Sequence, residues 1–374
     1  MEKLYRIFLL AVIVIVVPDC RRQSNSSGGD CADPSFFRDV QKRNFLLGVT
    51  TWPYDTGFAA RQNTYSFISN NTEVYSEQID NAIPWKAIMA AEQWPAEYLN
   101  NITDRANRRV AGKKLLLSVS LLNISRNDLM EDVDGTVPSY TKLSDTHIRN
   151  AYINFLITCI NMFDPDYLVV AMEVNELLIK SPDKWNDYRR LVQDVRLSLR
   201  GYFPSLPVSE SITVHGWYQP DVSDPAAYLS NIDQLNQEQD FVSLSYYPFL
   251  KGQRTRQQFQ EAFNFIHQRT DKPIAFVETS HLAEDLNVPA LNVNIEADEC
   301  EQAEFLKTLA ENAQSRQYLF VIWWAHRDYD KLWTLLPAAI KDVAQLWRDT
   351  GLFDEAGRER ASFNVWKLLK AIPL

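Results

Sequence analysis

Cysteine is scarce. Four residues (Cys20, Cys31, Cys159 and Cys300) are spread over 374 positions with no CxxC pair, so they do not form a disulfide framework. Cys159 falls on the apolar face of a predicted helix, the place of a buried thiol. The five histidines are scattered and HExxH is absent, so neither a metal site nor a cofactor is expected. No GxGxxG follows the first apolar strand, which argues against dinucleotide binding. With 38 basic against 48 acidic residues the net charge is −10, the wrong sign for a nucleic-acid partner. There is no run of like charges and no repeat of 20–50 residues.

The N-terminus has the pattern of an export signal. Lys3 and Arg6 precede the apolar run Ile7–Val17, which is shorter than the roughly 20 residues of a membrane span. Residues 1–19 are therefore expected to be a signal or membrane-targeting segment, and residues 20–34 (CRRQSNSSGGDCADP) a polar tether. Cys20 stands where a lipoprotein carries its lipidated cysteine, although Val17-Pro18-Asp19 departs from the usual small-residue pattern. Lipid attachment, ordinary cleavage and an uncleaved anchor all remain open. Each would put residues 35–374 outside the cytoplasm, as a periplasmic, cell-surface or extracellular monomer.

From Asn44 onward, strand and helix patterns alternate. Eight strand-like runs occur: 44–51, 73–79, 114–122, 167–175, 207–214, 240–246, 273–278 and 318–324. The second is the weakest, because it carries Glu73, Ser76, Glu77 and Gln78. Helical patterns cover 144–163, 183–199, 256–268, 297–315 and 362–371, with Ser144 placed to cap the first. Eight alternating units predict one closed (β/α)₈ barrel rather than a doubly wound sheet.

Two strands lead into an acid. YLVVAMEVNE ends at Glu176 on the fourth, and PIAFVETS carries Glu278 on the seventh. Barrel chemistry sits at the C-terminal strand ends. Hydrolysis of a glycosidic bond with retention needs two carboxylates about 5 Å apart, one a proton donor and one a nucleophile. Glu173 complicates the pattern. By strand alternation it shares a face with Asn175, and as a buried acid it needs a partner that the sequence does not make obvious. It reads as support for Asn175 or the catalytic pair, or equally as a structural acid.

Asn175-Glu176 and Glu278 resemble the signature of the clan A glycoside hydrolases. That resemblance implies Glu176 as acid/base, Asn175 as ligand of the sugar 2-hydroxyl and Glu278 as nucleophile. Tyr246-Tyr247-Pro248 is similar to the clan's strand-six aromatic, which implies that Tyr246 orients the nucleophile. Trp323-Trp324 resembles its sugar-stacking tryptophan at strand eight, and Gly48–Trp52 the first strand of the endo-β-1,4-galactanase family. Val174 stands where many relatives have Gly, and the strand-two Arg is absent, with Gln78 and Asp80 nearby. Trp52, Trp217 and Trp324 are candidate sugar platforms, His215 a candidate hydroxyl or acid/base partner, and His326, Arg327 and Asp328 candidate rim residues.

The expected activity is retaining hydrolysis of β-linked poly- or oligosaccharide. One alternative is a carbohydrate-binding barrel without turnover. Another is a metal-assisted hydrolase, weakened by the lack of a His or Asp cluster at strand ends.

Overall fold

In the computed structural model, Cys31 and residues 37–374 are described; the export segment, Cys20 and the rest of the tether lie outside the described residues. Eight parallel strands form the barrel. They are β1 (Leu46–Thr50), β2 (Val74–Ile79), β3 (Lys114–Val119), β4 (Tyr167–Val169), β5 (Val208–Ser209 and Ser211–Thr213), β6 (Val242–Tyr246), β7 (Ile274–Thr279) and β8 (Phe320–Trp323). Pairing runs in sequence order from β1 to the first half of β5 and from its second half to β8, and β8 pairs with β1. The two halves of β5 are separated only by Glu210, so the ring closes through one strand. Glu210 is buried, and its carboxylate takes Arg196 Nη1 at 2.8 Å and the Tyr188 hydroxyl.

The expected helices are present as Thr146–Phe163, Trp185–Tyr202, Arg256–Arg269, Glu299–Arg316 and Ala361–Ala371. Ser144 does not cap the first; its hydroxyl donates to Asp187 at 2.9 Å and Asp145 holds the cap position. Strand β2 is real despite its polar residues, because alternation sends them to two uses. Glu77 faces the helix layer and pairs with Arg105 at 2.7 Å, while Gln78 faces the barrel axis. Cys159 is buried and free, as expected.

Cys31 and Cys300 form a disulfide across 269 residues, with Cα atoms 4.9 Å apart. The sequence excluded a disulfide framework and pointed to no pairing, so this single bond was not foreseen. Spacing carried no signal, because only the fold brings the tether to the start of helix Glu299–Arg316. Among the described residues no helix is long and apolar enough to cross a membrane.

Candidate active site

Two departures from regular strand geometry build the mouth of the barrel. Between β4 and β5, Val170 N donates to Ser209 O at 2.8 Å and Ser211 N donates to Ala171 O at 2.9 Å. The next bond, from Val174 N to Ser211 O at 2.9 Å, comes later than a regular ladder allows. The extra residues form a bulge that holds Glu173 at φ 54°. A non-glycine residue there costs on the order of 1–3 kcal/mol. On β7, Leu244 pairs with Phe276 but Ser245 pairs with Glu278, so Val277 is the extra residue and Glu278 is turned inward.

Glu278 is held from both sides. Gln78 Nε2 donates to Oε2 at 2.7 Å and the Tyr247 hydroxyl donates to Oε1. Burial first, and the charge of Glu173 second, push its carboxyl up to about 7, against the pull of Tyr247 and Gln78. Burial and the neighbouring carboxylate keep the Tyr247 phenol protonated, and hence a donor.

The tyrosine at this site is Tyr247, which corrects the expectation for Tyr246. Ser245 points inward and Tyr246 outward, and Tyr247 is inward again. Tyr246 is buried against Phe263 and Phe305 with its hydroxyl on Gln253 at 2.7 Å.

Glu173 lies beside Glu278. Its Oε1 accepts from Ser245 Oγ at 2.9 Å, and its Oε2 accepts from Arg126 Nε at 3.2 Å and Nη2 at 2.9 Å. Burial opposes its charge, but Arg126, His215 and Ser245 together hold its carboxyl below the ordinary range. Arg126 is the partner that the sequence did not reveal. It comes from the loop after β3 and also has a positive φ of 54°.

Glu176 does not end a strand. It is the second residue of helix Asn175–Lys180. Its Oε1 accepts from Thr213 Oγ1 at 2.9 Å and lies 3.6 Å from His215 Nε2, and its Oε2 lies 3.2 Å from Lys180 Nζ. Gly216 makes room for it, since a Cβ there would stand 2.9 Å from Glu176 Oε1 and from Asn175 Nδ2.

Asn175 is fully buried and its amide is used internally. Oδ1 accepts from Thr213 N at 2.7 Å, and Nδ2 reaches Thr213 O at 3.0 Å and the Tyr228 hydroxyl at 2.9 Å. The amide therefore stands in for a peptide group and extends the β4–β5 ladder. The expected contact with a sugar hydroxyl is corrected, because no donor or surface is left for it.

His215 lies against both Glu176 and Glu173. Burial lowers its proton affinity while Glu176 and Glu173 raise it, and the net shift is downward.

The aromatic wall is formed by Trp52 and Trp324, with ring centroids 5.3 Å apart. Tyr247 and Trp347 continue it, with centroids 5.6 Å apart. The indole N–H groups of Trp52 and Trp347 and Nδ1 of His215 are buried with no hydrogen-bond partner among the described residues. Trp217 is no platform; it is fully buried with its edge on Phe265. The expected rim residues His326 and Asp328 are also buried, Asp328 in an ion pair with Arg360.

Two acidic groups, Glu284/Asp328/Glu355 and Asp328/Asp330/Asp349, come close enough to share a cation. Asp328 is paired with Arg360 and Asp349 with Arg348, so arginine already balances both groups.

Residues 130–366, more than half of the chain, match glycosyl hydrolase family 53. The chain belongs to that family. It is a retaining clan A glycoside hydrolase acting on β-linked sugars. No curated protein sequence matches it.

Solved structures share its fold at low identity. A GH5_18 protein of Bifidobacterium longum subsp. longum, in complex with Manb1-4GlcNAc, is 14% identical with a TM-score of 0.63, over 87% of this chain and 78% of that one. The GH53 catalytic domain of Ignisphaera aggregans is 16% identical with a TM-score of 0.57, over 88% and 97%. A fungal β-1,4-galactanase is 15% identical with a TM-score of 0.56, over 87% and 99%.

Proposed function

We propose that this family 53 enzyme is exported and cleaves β-1,4-linked galactan or a closely similar β-linked glycan, with Glu278 as nucleophile and a strand-four carboxylate as acid/base. The observation that carries the reading is the cradle of Glu278. An inward carboxylate fixed by Gln78 and Tyr247 and faced by a second acid has the parts of a double displacement. The Trp52–Trp324 wall beside it offers ring faces, which suit the apolar face of a sugar. The galactanase fold relative makes galactan the first substrate to try.

Export is supported by the Cys31–Cys300 bond, since such bonds persist in oxidising compartments, and by the charged and apolar pattern of residues 1–19. Whether the N-terminus is cleaved, lipidated at Cys20 or retained as an anchor is a matter for mass spectrometry of the secreted or membrane-bound protein.

The test of function is reducing-sugar release from β-linked galactan, mannan, glucan and xylan by residues 31–374, with Glu278→Gln in parallel. Release from galactan that disappears in the variant supports the reading. Binding of glycan without release from any of the four would favour a non-catalytic carbohydrate-binding barrel instead.

A further inference from the structure

We propose that Glu173, not Glu176, is the carboxylate that works with Glu278, first as acid and then as base. The proposal rests on the reading above that Glu278 is the nucleophile, and it deepens that reading by naming its partner.

Three observations carry it. The first is position. Ser245 Oγ binds Glu173 Oε1 at 2.9 Å, and Ser245 is the residue in register with Glu278 on the adjacent strand. Ser245 therefore holds the Glu173 carboxylate at the level of Glu278 on the adjacent strand. Glu176 has no such link. Its oxygens are taken up by Thr213, Lys180 and His215 at the start of a helix.

The second is backbone. Glu173 and its partner Arg126 both sit at φ 54°, a conformation that non-glycine residues rarely adopt. Strain of this kind concentrates where a side chain must be aimed, and the bulge at Ala171–Glu173 aims Glu173 toward β6 and β7.

The third is charge. The groups facing Glu173 are Arg126 from the β3 loop, Ser211 and His215 from β5 and the turn after it, Ser245 and Tyr247 from the end of β6, and Glu278 from β7. The charge of Glu173 adds to burial in raising the Glu278 carboxyl, so the two acids titrate as a coupled pair.

The chemistry balances with these two groups. A Glu278 carboxylate oxygen forms a bond to the anomeric carbon while the bond from that carbon to the glycosidic oxygen breaks. The departing oxygen keeps the electron pair and takes the proton of Glu173. Water then bonds to the anomeric carbon and gives one proton to Glu173. The bond from the carbon to Glu278 breaks, and its electron pair returns to the carboxylate. The productive one-proton form has the proton on Glu173, and it is reached from the resting pair by moving that proton off Glu278 with no change in net charge.

The experiment uses Glu173→Ala, the near-isosteric Glu173→Gln and Glu176→Ala, each checked for fold by circular dichroism. Substrates are dinitrophenyl β-1,4-galactobioside, whose leaving group needs no proton, and β-1,4-galactan, whose leaving group does. On galactan both Glu173 variants should lose about 10²–10⁴-fold in turnover. On the dinitrophenyl substrate Glu173→Ala should show a burst followed by a slow step, and sodium azide should accelerate that step and yield the β-glycosyl azide. Azide should neither accelerate Glu176→Ala nor enter its product.

Azide rescue of Glu176→Ala but not of Glu173→Ala would overturn the proposal. So would Glu173→Gln turning over galactan at the wild-type rate. A wild-type enzyme inactive on every glycan would instead count against the reading on which the proposal rests, because the comparison of variants needs that activity.

Discussion

Tyr247→Phe should move the alkaline limb of the pH–rate profile upward. Tyr247 donates to Glu278 Oε1 and so favours the ionised carboxylate, which sits at about 7 with that bond in place. A hydrogen bond to a charged group contributes about 1.5–3 kcal/mol. At about 1.4 kcal/mol per pH unit, its loss should raise the Glu278 carboxyl by about one to two units. Two effects follow from that one number. The limb of kcat/KM on galactan oligosaccharide shifts up by that amount. The plateau below it falls by about 10–100-fold, because less of the nucleophile is ionised. Tyr246→Phe is the control, since its hydroxyl is spent on Gln253 and it should leave the limb in place. An alkaline limb that stays put in Tyr247→Phe, or moves down, would refute the reasoning even if overall activity fell.

Removing the positive charge in Arg126→Met frees Glu173 from its two hydrogen bonds, so the acid limb should move to higher pH, read from the same profiles. Glu278→Gln should stabilise the protein above pH 7 by up to about 3 kcal/mol and not at all below pH 4.5. The sign follows from linkage. The folded carboxyl binds its proton more tightly than the unfolded one, so stability is lost as pH rises from 4.5 through about 7, and glutamine removes that loss. Denaturant melts at the two pH values would show it. Asn175→Ala leaves Thr213 N and O and the Tyr228 hydroxyl without their partner, and should lower urea stability by about 1–3 kcal/mol. Cys300→Ser should cost about 2–4 kcal/mol, and reductant should give the wild type the same lower melting temperature.

The barrel was legible because its signal is periodic. Seven strand runs and five helices fall within a few residues of their expected places, and β2 was in doubt only because its polar residues are satisfied inside the fold. Strand β4 is the exception. It was expected to reach Asn175 but ends at Val169, and the bulge after it reverses the alternation on which Glu173 and Asn175 were paired. A period of two cannot survive extra residues, so the bulge turns Glu173 to the barrel mouth and leaves Asn175 and Glu176 to open a short helix. Glu278 was legible as an inward acid near the end of β7 because strand, position and residue type all pointed to it. Its partner Tyr247 was missed by one residue, again a matter of which way a strand end faces. Arg126 left no trace, because it sits on an irregular loop where neither periodicity nor motif operates. The disulfide was hidden for the same reason, with its two ends 269 residues apart.

The most direct measurement of the central claim is covalent trapping. The enzyme would be incubated with a dinitrophenyl 2-deoxy-2-fluoro-β-galactobioside, which slows both steps and leaves the sugar on the nucleophile, then digested and sequenced by mass spectrometry. The account predicts one added glycosyl group on Glu278. A label on Glu173 or Glu176, or product of inverted configuration with no label from an enzyme that is active, would contradict it.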